Sequence, residues 1–251
     1  MSARLPRGWR DLALQVVLFL VVYQGYQLVR GFVDGRSGLA FANSERIMDL
    51  ERSIGAFFEP GFQQAMLDHR WLIELANWAY FNTHFVVTAG FLTWLYLRRN
   101  DHFYFVRNMF MVAMVLALAG YAAFPAAPPR MFGELGFTDT IATFTGIEQD
   151  SSSASLLVNP YAAVPSMHVA FSLMLAAPAV ALVQSAWARA AWSVYPLVVL
   201  FVIVVTANHF WFDAAAGAVV ACTAALAARR LARLRRDHWS WRGGHDAAVA
   251  Q

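Results

Sequence analysis

The chain has 251 residues, of which 59% are hydrophobic and 14% are charged, and its formal net charge at pH 7 is +3. The charged share is far below the roughly 25% usual in soluble domains, and an aromatic content of 15% argues against a disordered chain. The composition therefore excludes a soluble globular domain and indicates an all-α integral membrane protein. All 19 basic residues are arginines, and they lie in short runs beside apolar stretches. This pattern is typical of membrane topology and does not predict a nucleic-acid partner.

Six apolar stretches approach or exceed the length that a helix needs to cross a bilayer. They predict one membrane domain with spans at about 12–29, 71–97, 103–124, 167–183, 192–208 and 210–228. The first stretch is interpreted as a retained span, because it is longer than a signal-peptide core and charged residues separate it from the nearest cleavage-like site. The expected fold is a six-transmembrane helix bundle.

The distribution of arginines predicts the orientation of this bundle. In a six-span chain, both ends and the second and fourth connections share one side, and 13 of the 19 arginines fall there. Because positive residues are enriched on the cytoplasmic side, both termini and the basic tail at 229–251 are predicted to be cytoplasmic. The expected location is the plasma (inner) membrane, with the first, third and fifth connections on the periplasmic, extracellular or lumenal face.

Two of these outer connections are long enough to carry structure of their own. In the outer loop at 30–70, four apolar residues at near-helical spacing predict a helix lying in the membrane interface: Ile47, Leu50, Ile54 and Phe57. Residues 125–165 form a second long connection. Long loops in compact proteins are often functional, and this one is predicted to be an active-site loop.

Polar residues gather at the outer ends of three predicted spans. They follow the third span at 124–130, lead into the fourth at 163–168, and connect the fifth to the sixth at 206–213. The predicted topology places all three segments at the same depth on the outer face. A helix bundle can therefore bring them together into one site.

His209 and Asp213 are four residues apart, so on a helix they share a face and can pair. A carboxylate that accepts from one imidazole nitrogen leaves the other nitrogen available as a nucleophile or base. Gly217 and Ala221 continue the same face with small side chains, which lets another helix approach closely. The alternative is a hydrogen-bonded but inert pair at the membrane interface.

Two further residues suit a phosphate ligand. Ser166 is placed to cap the fourth span, and His168 lies in its first turn, where free backbone N–H groups favour a phosphate oxygen and an imidazole can act as a general acid. Arg130, the only arginine of its loop, can bind phosphate oxygens in a bidentate manner. Each residue also has an ordinary structural explanation. Ser166 could be a simple N-cap, His168 a histidine at the membrane interface, and Arg130 an arginine whose side chain extends to that interface.

The run Pro165-Ser166-Met167-His168, taken with His209 and Asp213, resembles the second and third signatures of the type 2 phosphatidic acid phosphatase superfamily. These membrane lipid phosphatases and phosphotransferases share a core bundle with vanadium haloperoxidases. The resemblance extends from about the second span to the sixth.

The resemblance implies that His209 attacks phosphorus to form a phosphohistidine, that Asp213 orients it, and that His168 protonates the leaving oxygen. A membrane lipid is the implied substrate, water or an alcohol takes the phosphoryl group, and neither a metal nor a cofactor is needed. The residues expected to bind phosphate are Arg130, Ser166 and Asn208.

Two departures from the family pattern concern charge. The chain has no lysine to match the one that usually precedes the first-motif arginine, and Ile203 stands where the third motif usually has an arginine. The Pro128-Pro129-Arg130 run and the Asn208-His209-Phe210 run resemble the aureobasidin-sensitive inositol phosphotransferase branch. A phosphomonoester carries nearly two negative charges and a phosphodiester one, so a pocket with a single arginine favours a phosphodiester lipid headgroup.

Three other interpretations remain open. The enzyme could be a lipid phosphate phosphatase that acts on phosphatidic acid or a polyprenyl (di)phosphate. Two histidines and a carboxylate could instead form a facial metal site, and six spans also suit a transporter, although transporter sites lie near the bilayer midplane. His84, within the second predicted span, is left outside the catalytic set because it could equally make a structural hydrogen bond.

Overall fold

The computed structural model describes residues 5–33, 36–146 and 161–234. Over these ranges the chain is all-helical, with nine α-helices, two short 3-10 turns and no strand. One isolated parallel bridge joins Ala126 to Ala162. In chain order the helices are α1 (Gly8–Val33), α2 (Ser37–Ser53), α3 (Glu59–Leu67), α4 (Arg70–Arg98), α5 (Asn100–Ala123), α6 (Thr140–Thr145), α7 (Met167–Leu182), α8 (Ala186–Val205) and α9 (Trp211–Leu234).

Three helices, α5, α8 and α9, are long and apolar enough to cross a membrane, and α7 is a shorter apolar helix. The chain is therefore a helical membrane protein. The six predicted spans fall on α1, α4, α5, α7, α8 and α9. The six-span count and the orientation stay predictions. Residues 147–160 of the predicted active-site loop and 235–251 of the predicted basic tail lie outside the described residues.

The centre of the bundle consists of α5, α7 and α9, with α1 against α5 and with α4 and α8 against α7. Large side chains such as Phe110 and Leu175 fill the space between these helices. The buried face of α9 is made of alanines, including Ala224 and Ala228. Small side chains allow neighbouring helices to approach closely in a membrane, so this face of α9 packs directly against α5 and α7.

The closest approach of α9 to α7 occurs at Gly217. A side-chain carbon at this position would overlap the carbonyl oxygen of Ser166, and it would lie 3.2 Å from the Ser166 carbonyl carbon and 3.4 Å from the backbone nitrogen of Ala170. This contact confirms the expectation that the small residues following Asp213 let another helix approach. The start of α7 and the first turns of α9 are consequently in direct backbone contact.

The helix predicted within residues 30–70 is present as α2, but its packing differs from the predicted pattern. Leu50 and Ile54 are 45% and 60% exposed, and the helix ends at Ser53, before Phe57. The buried face is partly polar and contains Ala40, Asn43, Ser44, Ile47, Met48 and Glu51. These side chains face protein rather than lipid, which is why polar residues are accommodated there.

This polar face of α2 anchors the loop that follows α5. The side chain of Asn43 donates to the carbonyl of Pro125 at 2.9 Å, and the hydroxyl of Ser44 donates to the carbonyl of Ala127 at 2.8 Å. Both bonds are buried. Because buried hydrogen bonds are costly to break, they fix the path of the loop just before Arg130.

The segment around α6 is held in a similar way by α3 and α4. Gln63 donates to the carbonyls of Thr138 at 2.9 Å and Val205 at 3.0 Å, which ties α3 both to this segment and to the end of α8. Asn77 of α4 donates to the carbonyl of Thr140 at 3.0 Å. These bonds place Asp139, which lies between Thr138 and Thr140, beside the polar cluster.

Candidate active site

The structure brings the three polar segments together at one end of the bundle. The guanidinium of Arg130 is hydrogen-bonded to Asn208 at 3.1 Å, and the ring centroids of His168 and His209 are 5.6 Å apart. A backbone bond of 3.0 Å from Ser166 to Asp213 joins the start of α7 to α9. All six residues predicted to form the site therefore lie in one cluster: Arg130, Ser166, His168, Asn208, His209 and Asp213.

His209 and Asp213 form the predicted pair, with Nδ1 of the imidazole 3.2 Å from Oδ2 of the carboxylate. Both side chains are buried. His209 precedes α9, so the pair closes across the start of the helix instead of along one helical face. The backbone N–H of Phe210 donates to the same Oδ2 at 3.0 Å. When Nδ1–H is donated to this carboxylate, Nε2 carries the lone pair and can act as a nucleophile.

The turn that carries His209 is held by backbone hydrogen bonds. The N–H groups of Asn208 and His209 both donate to the carbonyl of Ile203, at 3.1 and 3.2 Å. Ala207 has a φ of 51°, a left-handed conformation that costs a non-glycine residue about 1 kcal/mol or more. The backbone N–H of Arg130 donates to the Ala207 carbonyl at 2.8 Å, which links this turn to the arginine loop.

Arg130 is buried, and its guanidinium contacts side chains on two different described segments. Nη1 donates to Oδ1 of Asn208, and Nε lies 3.5 Å from Oδ2 of Asp139. The other carboxylate oxygen of Asp139 caps α6 by accepting from the N–H of Ala142 at 2.9 Å. Sequence reasoning missed Asp139. Its position as an acidic residue just before a helix, nine residues after the arginine, is the signal that could have found it.

Ser166 occupies the N-cap position of α7 as predicted, but its side chain makes no capping hydrogen bond. The residue is fully buried, and its hydroxyl has no hydrogen-bond partner among the described groups. The prediction that the side chain of Ser166 caps α7 is therefore wrong. The hydroxyl and the free N–H groups of the first turn of α7 remain able to contact a ligand oxygen.

His168 lies in the first turn of α7, between His209 and two aromatic rings of α4. Its ring stacks on Tyr80 with centroids 4.4 Å apart and lies at the same distance from His84. His84 in turn stacks on Phe171 at 4.8 Å. The structure thus places His84, which was left outside the predicted catalytic set, in contact with the predicted general acid.

Two buried carboxylates lie behind the start of α9, and sequence reasoning missed both. Glu59 accepts from the N–H of Trp211 and Glu51 accepts from the N–H of Phe212, each at 3.2 Å. Burial, followed by the negative charge of Glu59, raises the pKa of Glu51 to about 9. The spacing of Glu51, four residues after the buried Ile47, is the signal that could have placed it on the inner face of α2.

The arrangement suits nucleophilic catalysis on a charged ester. It combines an imidazole that a carboxylate orients with a second imidazole that can exchange a proton with a bound substrate. The guanidinium can bind the oxygen atoms of that substrate. Across the part of the chain that the structure describes, no group of three or more His, Cys, Asp or Glu side chains could hold a metal ion.

Comparison with known proteins gives one match. The sequence model of a family described as the PAP2 superfamily matches residues 45–227, which runs from α2 to within two turns of the end of α9 and includes every residue of the cluster. No curated protein matches the chain, and no solved structure matches it. The family match covers well over half of the chain and confirms the superfamily resemblance, whereas the inositol phosphotransferase-like branch stays a prediction. The chain therefore belongs to the PAP2 superfamily and is a membrane enzyme of the lipid phosphatase and phosphotransferase type.

Proposed function

We propose that the protein transfers or hydrolyses the headgroup of a membrane phosphodiester lipid through a phosphohistidine intermediate on His209. The observation that supports this most is the buried His209–Asp213 pair, with the ring of His168 5.6 Å from that of His209. Nε2 of His209 forms a bond to phosphorus while one ester P–O bond breaks, and protonated His168 gives its proton to the leaving oxygen. Arg130 binds the non-bridging oxygens.

The second half of the reaction restores the enzyme. Water or the hydroxyl of an alcohol gives its proton to the now neutral His168 and attacks phosphorus, and the P–N bond to His209 breaks. Water yields hydrolysis, and an alcohol yields transfer. Asp213 stabilises the positive charge that develops on the imidazole, as the acid of a catalytic triad does. These steps need no metal or cofactor.

The preference for a phosphodiester is supported by the charges around Arg130. Its guanidinium is already shared with Asn208 and the carboxylate of Asp139. At the position where the family usually has a second cation, Ile203 is fully buried in an apolar cluster. A single, partly neutralised guanidinium suits the one negative charge of a diester better than the nearly two charges of a monoester.

The membrane placement that belongs to this proposal has six spans, formed by α1, α4, α5, α7, α8 and α9. Both termini lie in the cytoplasm, and the site faces the periplasm, the extracellular space or a lumen. In that arrangement the cluster lies near one interface, at the depth of the lipid phosphates, so a lipid presents its ester to His209 without leaving the bilayer.

The test is to trap the intermediate. Purified enzyme is mixed with a panel of phosphodiester and phosphomonoester lipids, quenched, digested, and examined by mass spectrometry for an adduct on the peptide that contains His209. We expect a headgroup-phosphoryl adduct from a diester and none in His209→Ala, which should retain its fold while turnover falls by about 10⁴-fold or more. Release of inorganic phosphate from phosphatidic acid, with no action on any diester, would refute the diester assignment.

The other interpretations give different results in the same preparation. A metal-dependent enzyme loses activity after strong chelation, whereas the proposed mechanism keeps it. A transporter moves its substrate with no covalent adduct, and a lipid phosphate phosphatase forms its adduct from phosphatidic acid or a polyprenyl (di)phosphate.

A further inference from the structure

The start of α9 lacks an ordinary cap of its own. The first N–H groups of a helix have no partner within the helix and are usually bound by a Ser, Thr, Asp or Asn side chain just before it. Here Phe210 precedes the helix, and its side chain has no acceptor. Because this helix end adjoins His209, its stabilisation bears directly on the catalytic centre.

Three carboxylates from three helices supply the missing acceptors. Asp213 accepts from the N–H of Phe210 at 3.0 Å, Glu59 from that of Trp211 at 3.2 Å, and Glu51 from that of Phe212 at 3.2 Å. Successive N–H groups are thus bound in turn by α9, α3 and α2. Two of the three acceptors of this cap therefore come from other helices, and only Asp213 belongs to α9 itself.

Glu51 is buried beside other carboxyl groups, an environment that disfavours its charged form. Glu51 and Glu59 are both fully buried, and Oε2 of Glu51 accepts no hydrogen bond from the described N–H and O–H groups. The ionisable groups that act on Glu51 are Glu59 from α3 and Asp213 from α9, and both are carboxyl groups. A carboxyl group buried beside other carboxyl groups keeps its proton to higher pH, and burial followed by the charge of Glu59 raises the pKa of Glu51 in this way.

We propose that Glu51 and Glu59 are positioning residues, which hold the first turn of α9 so that Asp213 keeps His209 in its reactive orientation. This inference rests on the proposed role of His209 as nucleophile. A single atom connects the start of α9 to the imidazole of His209, because Oδ2 of Asp213 contacts both the N–H of Phe210 and Nδ1 of His209. A first turn that shifts therefore displaces the acceptor of the imidazole.

The test compares two substitutions of Glu51. In Glu51→Gln the amide oxygen still accepts from Phe212, and the neutral amide, which has N–H donors, copies the protonated acid. Glu51→Ala removes that bond. Glu45→Ala is the matched control, since Glu45 lies on the same helix but is exposed.

Two measurements are made on full-length protein in detergent micelles. The first is the ¹⁵N spectrum of the His209 imidazole, assigned by comparison with His209→Gln, which reports the tautomer without any substrate. The second is the pH profile of kcat and KM with the lipid found in the trapping experiment. We expect Glu51→Gln and Glu45→Ala to match the wild type at pH 7. In Glu51→Ala the single tautomer should be lost, and kcat should fall about 10-fold with little change in KM, as expected for a lost cap.

The pH dependence tests whether the protonated form of Glu51 is the one that holds the first turn of α9. Above a pH of about 9, at which Glu51 loses its proton, the wild-type spectrum and kcat should change, while those of Glu51→Gln should not. A Glu51→Ala protein with the wild-type tautomer and kcat would overturn the proposal, as would Glu51→Gln behaving like Glu51→Ala. If Glu51→Ala does not fold, equal pH responses of the wild type and Glu51→Gln overturn it. Because the spectrum needs no substrate, this outcome is distinct from a failure of the proposed function.

Discussion

Replacing Gly217 with alanine should lower activity, although Gly217 is not one of the predicted site residues. The added methyl group meets backbone, namely the carbonyl oxygen and carbon of Ser166 and the nitrogen of Ala170, and backbone cannot swing aside as a flexible side chain can. Restoring an ordinary contact of at least 3.4 Å requires α9 and the start of α7 to separate by about 1 Å. The bond from Ser166 to Asp213, now 3.0 Å, then lengthens to about 4 Å and is lost.

Two opposing effects determine the change in stability. Alanine favours a helix over glycine by about 1 kcal/mol, whereas overpacking a close contact costs about 1–3 kcal/mol. At Gly217 the cost should equal or exceed the gain, so we expect a neutral to lower melting temperature. Activity should suffer more. A displacement of about 1 Å between reacting groups costs about 100-fold in rate, and here it separates His168 on α7 from the His209–Asp213 pair.

The assay measures kcat with the trapped lipid substrate alongside the melting temperature in detergent. The matched control is Gly90→Ala, because Gly90 is also inside a helix but has no atom within 4 Å of the added carbon. Gly90→Ala should have wild-type activity and an equal or higher melting temperature. If Gly217→Ala keeps its kcat within twofold of the wild type, the close contact between α7 and α9 does not set the geometry of the site.

Three further changes test the charges and hydrogen bonds of the site. Asn208→Ala removes an acceptor from Arg130, and loss of a charged hydrogen bond of about 1.5 kcal/mol should raise KM about 10-fold. Asp139→Asn keeps the cap of α6 but removes a negative charge beside Arg130, so kcat/KM for a phosphomonoester relative to a diester should rise about fivefold. The third change is Glu51→Gln. Since the pKa of Glu51 is raised from 4.5 to about 9, the unfolded chain holds fewer protons between these values and stability falls as pH rises. The melting temperature of Glu51→Gln should therefore fall less than that of the wild type between pH 5 and 9.

Each of these changes has an outcome that contradicts its reasoning. An unchanged KM in Asn208→Ala would mean that Arg130 does not need Asn208 for its orientation. A constant substrate ratio in Asp139→Asn would remove the charge argument for a diester. Parallel melting curves across pH for the wild type and Glu51→Gln would show that Glu51 titrates normally.

The six predicted site residues could be found from the sequence because polar residues stand out at the ends of apolar helices and because their motifs resemble those of the superfamily that the chain matches. Helix ends at the same depth meet in a bundle, which is why Arg130 and His168 join the His209–Asp213 pair. The pairing of His209 with Asp213 followed from their spacing, although His209 lies before the helix rather than in it. The separation of two residues in sequence predicts that their side chains lie close together, but it does not predict the residue at which a helix begins.

The residues that sequence reasoning missed all depend on contacts between distant segments. Asp139 reaches Arg130 only because Gln63 and Asn77 fix the segment around α6. The sequence predicts an interfacial helix around Glu51 and gives no sign that this residue is buried, but α2 turns its side chain toward α9. No local pattern distinguishes a solvated glutamate from a buried one when the partner is a backbone N–H far along the chain.

The interhelical cap of α9 also has a consequence for how the protein is made. The partners of its first turn are far away in sequence, since Glu59 and Trp211 are 152 residues apart and Glu51 and Phe212 are 161 residues apart. During synthesis, α2 and α3 emerge long before the helix that completes their hydrogen bonds. The catalytic centre is thus assembled last, when α9 inserts beside α7. A chain that ends before α9 lacks Asp213 and both N–H groups that Glu51 and Glu59 bind, so under the proposed mechanism it should have no activity.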